Sequence, residues 1–296
     1  MKPLLLIALI LSALFTISCN KDDLRSEIPA YLKIDSASVS TNFTLQGSAS
    51  HKITTVWVEA NGKSIGVFEL PAVIPVLASG SVKIRLDAGI NENGMQSTRS
   101  VYPFYAPFEK TFELNPLDTT LIASTNSNHP VFTYSEFGEV RVVENFEGIG
   151  LNLQVSSRSD TIVYRSQLPE HLFQWPGETN NFSGIGYLAD ADMLFEVNSE
   201  TGFQIPRNQP VYLELDYKTE APIAVGLIIN SANVGIVQAA TVRINPNNSW
   251  NKIYINLFAD VNGYPNVIDY KVFLGAINTE GQGPKQILFD NLKLVY

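Results

Sequence analysis

The stretch VYLELDY, at residues 211–217, opens the series of β-strand signals that decides the fold of the C-terminal half. Similar runs of β-branched, aromatic and leucine residues follow at regular intervals, at residues 223–229, 239–244, 253–258, 270–276 and 287–296, and residues 141–147 supply an earlier strand. Short strands at such spacing, with no helical period between them, are typical of an all-β sandwich. We predict one for residues 131–296.

Three motifs in this half resemble the jelly roll of carbohydrate-binding modules, the galactose-binding-like sandwich. They are ENFE at residues 144–147, WNKIYI at 250–255 and ILFDNLKL at 287–294. The resemblance implies a C-terminal jelly roll. Jelly rolls of this type often carry a structural Ca²⁺ near the chain ends, a place that Glu147 and Asp290 match, and hard oxygen ligands suit that ion. The alternative is that both carboxylates simply cap strand ends.

Asn61-Gly62 and Asn93-Gly94 mark two tight turns in the N-terminal half, because both residue types tolerate positive φ. The first turn separates strand signals at residues 53–58 and 63–68. The second follows VKIRL at 82–86, which alternates apolar and charged residues and so predicts one buried and one hydrated face. In size and strand spacing, residues 31–114 resemble an immunoglobulin-like antiparallel sandwich. The fold class that we predict is therefore all-β throughout.

Residues 115–130 are rich in Thr, Ser and Asn and show no periodicity, which predicts a linker between the two domains. Just before it lies an aromatic cluster. This cluster either closes the end of the N-terminal sandwich, which we favour, or forms a contact patch. Its members are Tyr102, Phe104, Tyr105 and Phe108.

The N-terminus has the layout of an export signal: Lys2 precedes an apolar run at residues 4–15 that is short for a spanning helix. Small residues lead up to Cys19, which resembles the acylated cysteine of bacterial lipoproteins. The tract Lys21-Asp22-Asp23 resembles the export signal of Bacteroidetes surface lipoproteins. We predict a signal peptide at 1–18, an acylated tether at 19–30, and a lipid-anchored protein of the outer membrane that faces the cell exterior. The alternative is an ordinary signal peptide followed by a stray cysteine.

Composition narrows the classes of partner. The formal charge is −9 and the chain has no Lys/Arg cluster, so nucleic acid is not expected to bind. With a single cysteine there is neither an intrachain disulfide nor a thiolate metal site. Three tripeptides resemble the Asp-Ser/Thr-apolar acceptors of O-glycosylation in Bacteroidetes, and their acceptor residues are Ser36, Thr119 and Thr161.

The strongest ligand-binding signal is a loop rich in Gly, Asn and Pro that contains aromatic residues. Phe173, Trp175 and Tyr187 are the candidates, since an exposed Trp can stack on a sugar or anchor a protein interface. Alternatively, the loop folds back and Trp175 covers the open end of the sandwich. Trp57 and Trp250 lie within apolar strand patterns, so we assign both to cores.

Catalytic signals are weak, and we predict no catalytic residues. Glu214, Asp216 and Glu220 resemble the Glu-x-Asp-x-x-Glu strand of one family of β-glucan hydrolases, but one extra residue separates Asp216 from Glu220. A hydrated strand face explains these carboxylates equally well. The three histidines, expected on the surface or in loops, show neither metal-ligand spacing nor a nucleophile motif. They are His51, His129 and His171.

These observations lead to two main functional hypotheses and a third that ranks below them. We favour a non-catalytic accessory subunit of an outer-membrane complex of the uptake, secretion or barrel-assembly type, with a membrane protein as partner. The alternative is a surface lipoprotein that binds polysaccharide through its C-terminal domain. A glycoside hydrolase comes third. A row of aromatic and polar residues would favour glycan, whereas an apolar patch bridging the domains would favour a protein partner.

Overall fold

The computed structural model describes residues 28–279 and 283–296. Predictions about the signal peptide, Cys19, Lys21, Asp22 and Asp23 concern residues outside this description. Among the residues described, no helix is both long enough and apolar enough to cross a membrane.

The N-terminal half consists of two larger sheets, a two-stranded sheet of β2 and β10, and one short helix. Its strands are β1 (Ala30–Ile34), β2 (Ser38–Ser40), β3 (Thr55–Ala60), β4 (Lys63–Glu69), β5 (Ala72–Val76), β6 (Gly80–Asn91), β7 (Arg99–Val101), β8 (Phe108–Leu114), β9 (Thr119–Leu121) and β10 (Val131–Thr133), and helix α1 is Phe43–Gln46. One sheet has the order β4-β3-β6-β7, with β8 also paired to β6, and the other has the order β5-β1-β9. Both predicted turns are confirmed, since Asn61 and Asn93 have φ of 51° and 55° and each is followed by a glycine with positive φ.

The segment that we predicted as a linker is part of the N-terminal fold. Within residues 115–130, β9 pairs in parallel with β1, and Ile122 after it is fully buried. β10 then pairs in parallel with β2. The linker prediction is wrong because three-residue parallel strands are too short to leave a periodic pattern. The connection between the halves is the shorter stretch between Tyr134 and β11.

The C-terminal half is a sandwich of two sheets. Its strands are β11 (Val140–Glu144), β12 (Leu153–Val155), β13 (Val163–Ser166), β14 (Ser183–Leu188), β15 (Leu194–Ser199), β16 (Tyr212–Thr219), β17 (Ile223–Ser231), β18 (Gly235–Ile244), β19 (Asn247–Asn256), β20 (Val267–Ile277) and β21 (Lys285–Val295), with a 3₁₀ turn at Pro169–His171 and helix α2 at Phe258–Gly263. The sheet of order β13-β14-β21-β16-β19, to which β11 adds beside β21, is called the docked sheet below. The sheet of order β12-β15-β20-β17-β18 is called the open sheet. The predicted all-β jelly-roll sandwich is confirmed.

Strand alternation determines which residues fill the core between these sheets. On β16, Leu213 and Leu215 belong to the core of the C-terminal half, whereas Tyr212 belongs to the core of the N-terminal half. Tyr254 on β19 and Val295 on β21 are also part of the N-terminal core. The outer face of the docked sheet therefore packs against the N-terminal half.

Candidate functional site

The aromatic cluster of the N-terminal half lies in the contact between the halves. Tyr102 is fully buried, and its ring lies 5.2 Å from that of Tyr212 and 4.9 Å from that of Tyr254. The hydroxyls of Tyr105 and Tyr254 are 3.1 Å apart. The cluster is thus a buried intramolecular contact, which confirms the packing interpretation and leaves no patch there for another protein.

Glu214 is the centre of a buried polar network in this contact. Its Oε1 accepts hydrogen bonds from the hydroxyls of Tyr102 at 2.7 Å and Tyr134 at 2.8 Å. Its Oε2 lies 2.9 Å from Lys252 Nζ, and both side chains are almost completely buried. Burial alone would raise the pKa of Glu214, but the neighbouring charges of Lys252 and Lys293 reverse this effect, so the pKa is lowered.

Asp216 and Lys293 extend the network. Asp216 Oδ2 accepts hydrogen bonds from Ser50 Oγ at 2.6 Å and Asn291 Nδ2 at 3.1 Å, and Lys293 Nζ donates to the carbonyl of Ser48 at 2.5 Å. Burial raises the pKa of Asp216 despite the charge of Lys252. Burial also lowers the pKa of Lys293 to about 8, although Glu214 opposes this shift.

This burial corrects the prediction of a hydrated strand face. Glu214 and Asp216 share one face of β16, as their alternation predicts, but the N-terminal half covers that face. Glu220 is exposed and its carboxylate accepts the backbone N–H of Gln286. The three carboxylates do not line a common groove, so they form no pair across a sugar site. Glu214 and Asp216 instead accept hydrogen bonds from the N-terminal half and so help to hold the two halves together.

The loop with Trp175 also serves this internal contact. Trp175 is half-buried, stacks against the buried Phe173 at 6.2 Å and meets the ring of His51 edge-on at 5.1 Å. Glu178 accepts hydrogen bonds from Ser48 Oγ and from the backbone N–H of Ala49, both at 2.5 Å. The structure agrees with the alternative in which the loop folds back.

Tyr187 does not join the other predicted ligand-binding residues. It lies on β14, opposite Gln286 of β21, and its side chain is exposed. On the neighbouring strand β13, Tyr164 pairs with Ile185 and is also exposed. The two tyrosines form a small aromatic pair at the edge of the docked sheet.

The two remaining tryptophans are not core residues, contrary to our prediction. Trp57 is half-buried on the outer face of β3, where it covers Gly89. Trp250 is half-buried as well, and its ring meets Phe173 edge-on at 5.3 Å. Each ring lies on the face of its strand opposite the core residues of that strand. The apolar run in the sequence did not show which face each ring occupies.

The histidines lie in three separate contacts. Burial lowers the pKa of His51 to about 4, so its ring is neutral near pH 7. His129 Nε2 lies 2.9 Å from Ser38 Oγ, and His171 Nδ1 lies 2.8 Å from Ser166 Oγ. His171 is buried in the 3₁₀ turn between β13 and β14, so it lies in a loop, as one of the two predicted settings, although not at the surface.

The predicted calcium ligands each have protein hydrogen-bond donors. Glu147 accepts the backbone N–H groups of Asn181 and Phe182, at 2.8 and 2.9 Å, and the Asn181 side-chain amide. Asp290 accepts from Ser183 Oγ at 2.6 Å and Asn180 Nδ2 at 2.9 Å. Because Ca²⁺ needs six to eight oxygen ligands, N–H groups directed at these carboxylates do not fit the ion. Among the residues described, no group of three or more His, Cys, Asp or Glu side chains could hold a metal.

The predicted O-glycosylation acceptors differ in accessibility. Ser36 and Thr119 are exposed, whereas Thr161 is half-buried. Modification at the three positions stays a prediction.

A trough crosses the outer face of the open sheet, opposite the docked sheet. The strand registers align Glu196 of β15, Gly275 of β20, Ala224 of β17 and Arg243 of β18 in one row. The two small residues leave a depression between the Glu and Arg side chains, whose backbones are separated by three interstrand spacings, or about 14 Å. The resulting cavity of about 320 Å³ is also lined by Leu194, Pro222, Gln238, Phe273 and Ile277.

A bridge of polar side chains forms one wall of the trough. Arg158 Nη2 donates to Glu196 Oε2 at 2.5 Å and also to Gln238 Oε1, while Gln238 Nε2 donates to Glu196 Oε2 at 3.0 Å. Two strands separate Glu196 from Gln238, so this contact requires the outer face to be concave. Although burial raises the pKa of Glu196, its hydrogen bonds, above all that from Arg158, lower it overall, which keeps the carboxylate ionised.

Phe273 forms part of the floor of the same trough. It is on the outer face of β20, alternating with the core residues Val272 and Leu274, and its ring is almost fully buried. Beside it in register is Gly226. The apolar surface that a ligand can contact comes from the exposed Ile277. Together with the fixed hydrogen-bonding side chains, it provides the combination that a small polar ligand with apolar C–H groups requires.

Sequence reasoning did not find this site because its residues come from four strands and from the loop that carries Arg158. The available signal was glycine within strands: Gly226 and Gly275 interrupt runs of β-branched residues, and an interior strand glycine often marks a close approach of another group. A Cβ on Gly275 would make only ordinary contacts, 3.8 Å from Glu196 Oε2. Neither backbone strain nor a close contact therefore requires glycine at position 275. Its effect is to leave room above the sheet.

Comparison with known proteins gives neighbours of similar fold. No protein-family model matches the chain, and no curated protein matches it. A carbohydrate-binding module from the β-sandwich superfamily is 13% identical, with coverage of 80% of this chain and 83% of that chain and a TM-score of 0.37. The family 11 module of the Clostridium thermocellum cellulase Lic26A-Cel5E is 18% identical, with coverage of 52% and 93% and a TM-score of 0.34. The tailspike protein 4 of bacteriophage CBA120 is 13% identical, with coverage of 61% and 24% and a TM-score of 0.40. At these scores the neighbours do not identify a ligand.

Proposed function

We propose that this protein is a non-catalytic glycan-binding protein whose ligand occupies the trough on the open sheet. The observation that carries the proposal is the row Glu196–Gly275–Ala224–Arg243, in which small residues leave a cavity between two charged side chains. Its volume of about 320 Å³ is at the lower end of the range for small-ligand sites. The site therefore suits one or two sugar units of a longer chain that crosses the sheet.

The chemistry of the lining supports a saccharide. Sugar hydroxyls both donate and accept hydrogen bonds, and the bridge offers both kinds of partner: N–H donors on Arg158 and Gln238, and acceptor oxygens on Glu196 and Gln238. The mutual hydrogen bonds fix these side chains before a ligand arrives, which reduces the entropy lost on binding. The exposed Ile277 offers apolar surface to the C–H groups of a sugar ring.

The role as an accessory subunit of an outer-membrane complex has less support. The two surfaces that the sequence suggested for a protein partner are the Trp175 loop and the cluster around Tyr102, and the contact between the two halves uses both. We retain the predicted cellular location. We propose that Cys19 anchors the chain to the outer membrane, with the trough exposed to polysaccharide outside the cell.

The test is a glycan-binding screen on a trough-filling variant. Ala224→Leu places a larger side chain in the depression without entering the core, and Thr111→Leu, on an exposed strand position of the N-terminal half, is the matched control. Affinity electrophoresis in a panel of neutral and acidic polysaccharides should show retardation of the wild type and of Thr111→Leu, and loss of retardation in Ala224→Leu. Retardation that survives in Ala224→Leu but disappears in a Tyr164→Ala, Tyr187→Ala double variant would move the site to the docked sheet and refute the proposal.

A further inference from the structure

The trough carries an excess of positive charge although the whole chain is acidic. Arg243 forms one end of the row and is exposed, and Lys271 on β20 is half-buried on the same sheet face. Glu196 is the acidic residue of the row, and Arg158 already neutralises it at 2.5 Å. Asp269, two residues before Lys271, shares this face and offsets that lysine, so Arg243 is the cation among these side chains that remains for an anion in a protein of net charge −9.

Arg243 has no ionic partner among the residues described. The ion pairs found there involve other cations, and no carboxylate within residues 28–279 and 283–296 lies within 4.0 Å of its guanidinium. A guanidinium presents a planar fork of N–H donors that matches a carboxylate in a bidentate arrangement. Arg243 lines the trough at the opposite end of the row from Glu196, within reach of a ligand lying across Ala224 and Gly275.

We infer that the glycan bound in this trough is an acidic one, whose uronate carboxylate pairs with Arg243 while the neutral part of the sugar contacts the Glu196 bridge. This inference rests on the proposed glycan-binding function and adds the class of ligand. At the other end of the row Arg158 is already paired with Glu196, so Arg243 is the guanidinium of this row that is left for a carboxylate among the residues described. The uronate unit therefore lies with its carboxylate at the Arg243 end and its hydroxyls at the Glu196 end.

The test compares pairs of polysaccharides that share a backbone and differ in free carboxylate: de-esterified against fully methyl-esterified homogalacturonan, and glucuronoxylan against xylan. Binding is measured by isothermal titration calorimetry with a chelator present, so that Ca²⁺ does not bridge the chains. The acidic member of at least one pair should bind about tenfold more tightly, because a charge-assisted hydrogen bond is roughly twice as strong as a neutral one. Added salt should reduce that preference.

The variant Arg243→Gln should abolish the preference while it leaves the fold intact, since the side chain is exposed. Lys63→Gln removes the same charge from an exposed position in the N-terminal half and should leave the preference unchanged. Dextran sulfate tests whether any polyanion suffices, and affinity for it equal to that for the uronates would overturn the carboxylate assignment. Equal binding within both pairs, or equal effects of the two variants, would overturn the inference and leave glycan binding standing. No binding to any polysaccharide would refute both.

Discussion

Replacing Glu214 by Gln should destabilise the whole molecule. The carboxylate is completely buried and faces Lys252 Nζ at 2.9 Å and two tyrosine hydroxyls. The amide oxygen can still accept from both tyrosines, which donate to Oε1, but the amide nitrogen then faces Lys252 Nζ. The charge is also gone, so that Asp216 alone balances Lys252 and Lys293. Breaking a buried ion pair by removing one partner typically costs about 3–5 kcal/mol. With an unfolding entropy of about 2.1 cal/mol/K per residue, a chain of this size should lose roughly 5–9 °C in Tm.

The measurement is thermal and urea-induced unfolding followed by circular dichroism, with Glu113→Gln as the control at an exposed position. Wild type should unfold in one transition, because the network joins both halves. The double variant Glu214→Gln, Lys252→Gln restores the charge balance and should lose less stability than the two single variants together. A Tm change below about 2 °C, or additive effects in the double variant, would show that Glu214 and Lys252 do not form a stabilising buried pair.

Two further predictions concern Asp290 and Cys19. Burial raises the pKa of Asp290 to about 8, so the folded state keeps a proton that the unfolded chain loses near pH 4. This lowers the free energy of unfolding between about pH 4 and 8, by up to about 1.4 kcal/mol per pH unit. His51, whose pKa is lowered to about 4, contributes the opposite slope below about pH 6.5, so the net fall is expected between about pH 6.5 and 8. Asp290→Asn should flatten that fall in urea titrations at pH 6.5 to 8, and an unchanged slope would exclude Asp290 as its source. For the anchor, Cys19→Ser should move the protein from the outer-membrane fraction to the soluble fraction, and continued membrane association of this variant would contradict acylation at Cys19.

The sequence predicted those features that depend only on residues close together in the chain. Asn61-Gly62 and Asn93-Gly94 adopt the positive φ angles that their side chains permit, and the alternation on β6 buries Val82, Ile84 and Leu86 as expected. The strand signals after residue 211 correspond to β16 to β21. Local propensity and a period of two are enough for these features, because they do not require knowing what packs against each strand.

Features that depend on what packs against a given face of a sheet could not be predicted in this way. Alternation placed Glu214 and Asp216 on one face of β16, but a polar face looks the same in sequence whether water or another domain covers it. The buried tyrosine and serine hydroxyls that donate to these carboxylates come from segments 80 to 166 residues away. The trough was hidden for a similar reason, since its row joins residues from β15, β17, β18 and β20.

The domain contact also explains why the ligand site is expected on the open sheet. A jelly roll has two outer faces, and here β16, β19 and β21 direct Tyr212, Tyr254 and Val295 into the N-terminal core. The face of the docked sheet around these strands is thus unavailable to a polysaccharide. The open sheet lies on the opposite side of the sandwich, so a long glycan can cross its concave face without meeting the N-terminal half. That half then acts as a rigid support between the predicted anchor at Cys19 and the trough, and the buried network fixes the direction in which the trough is presented.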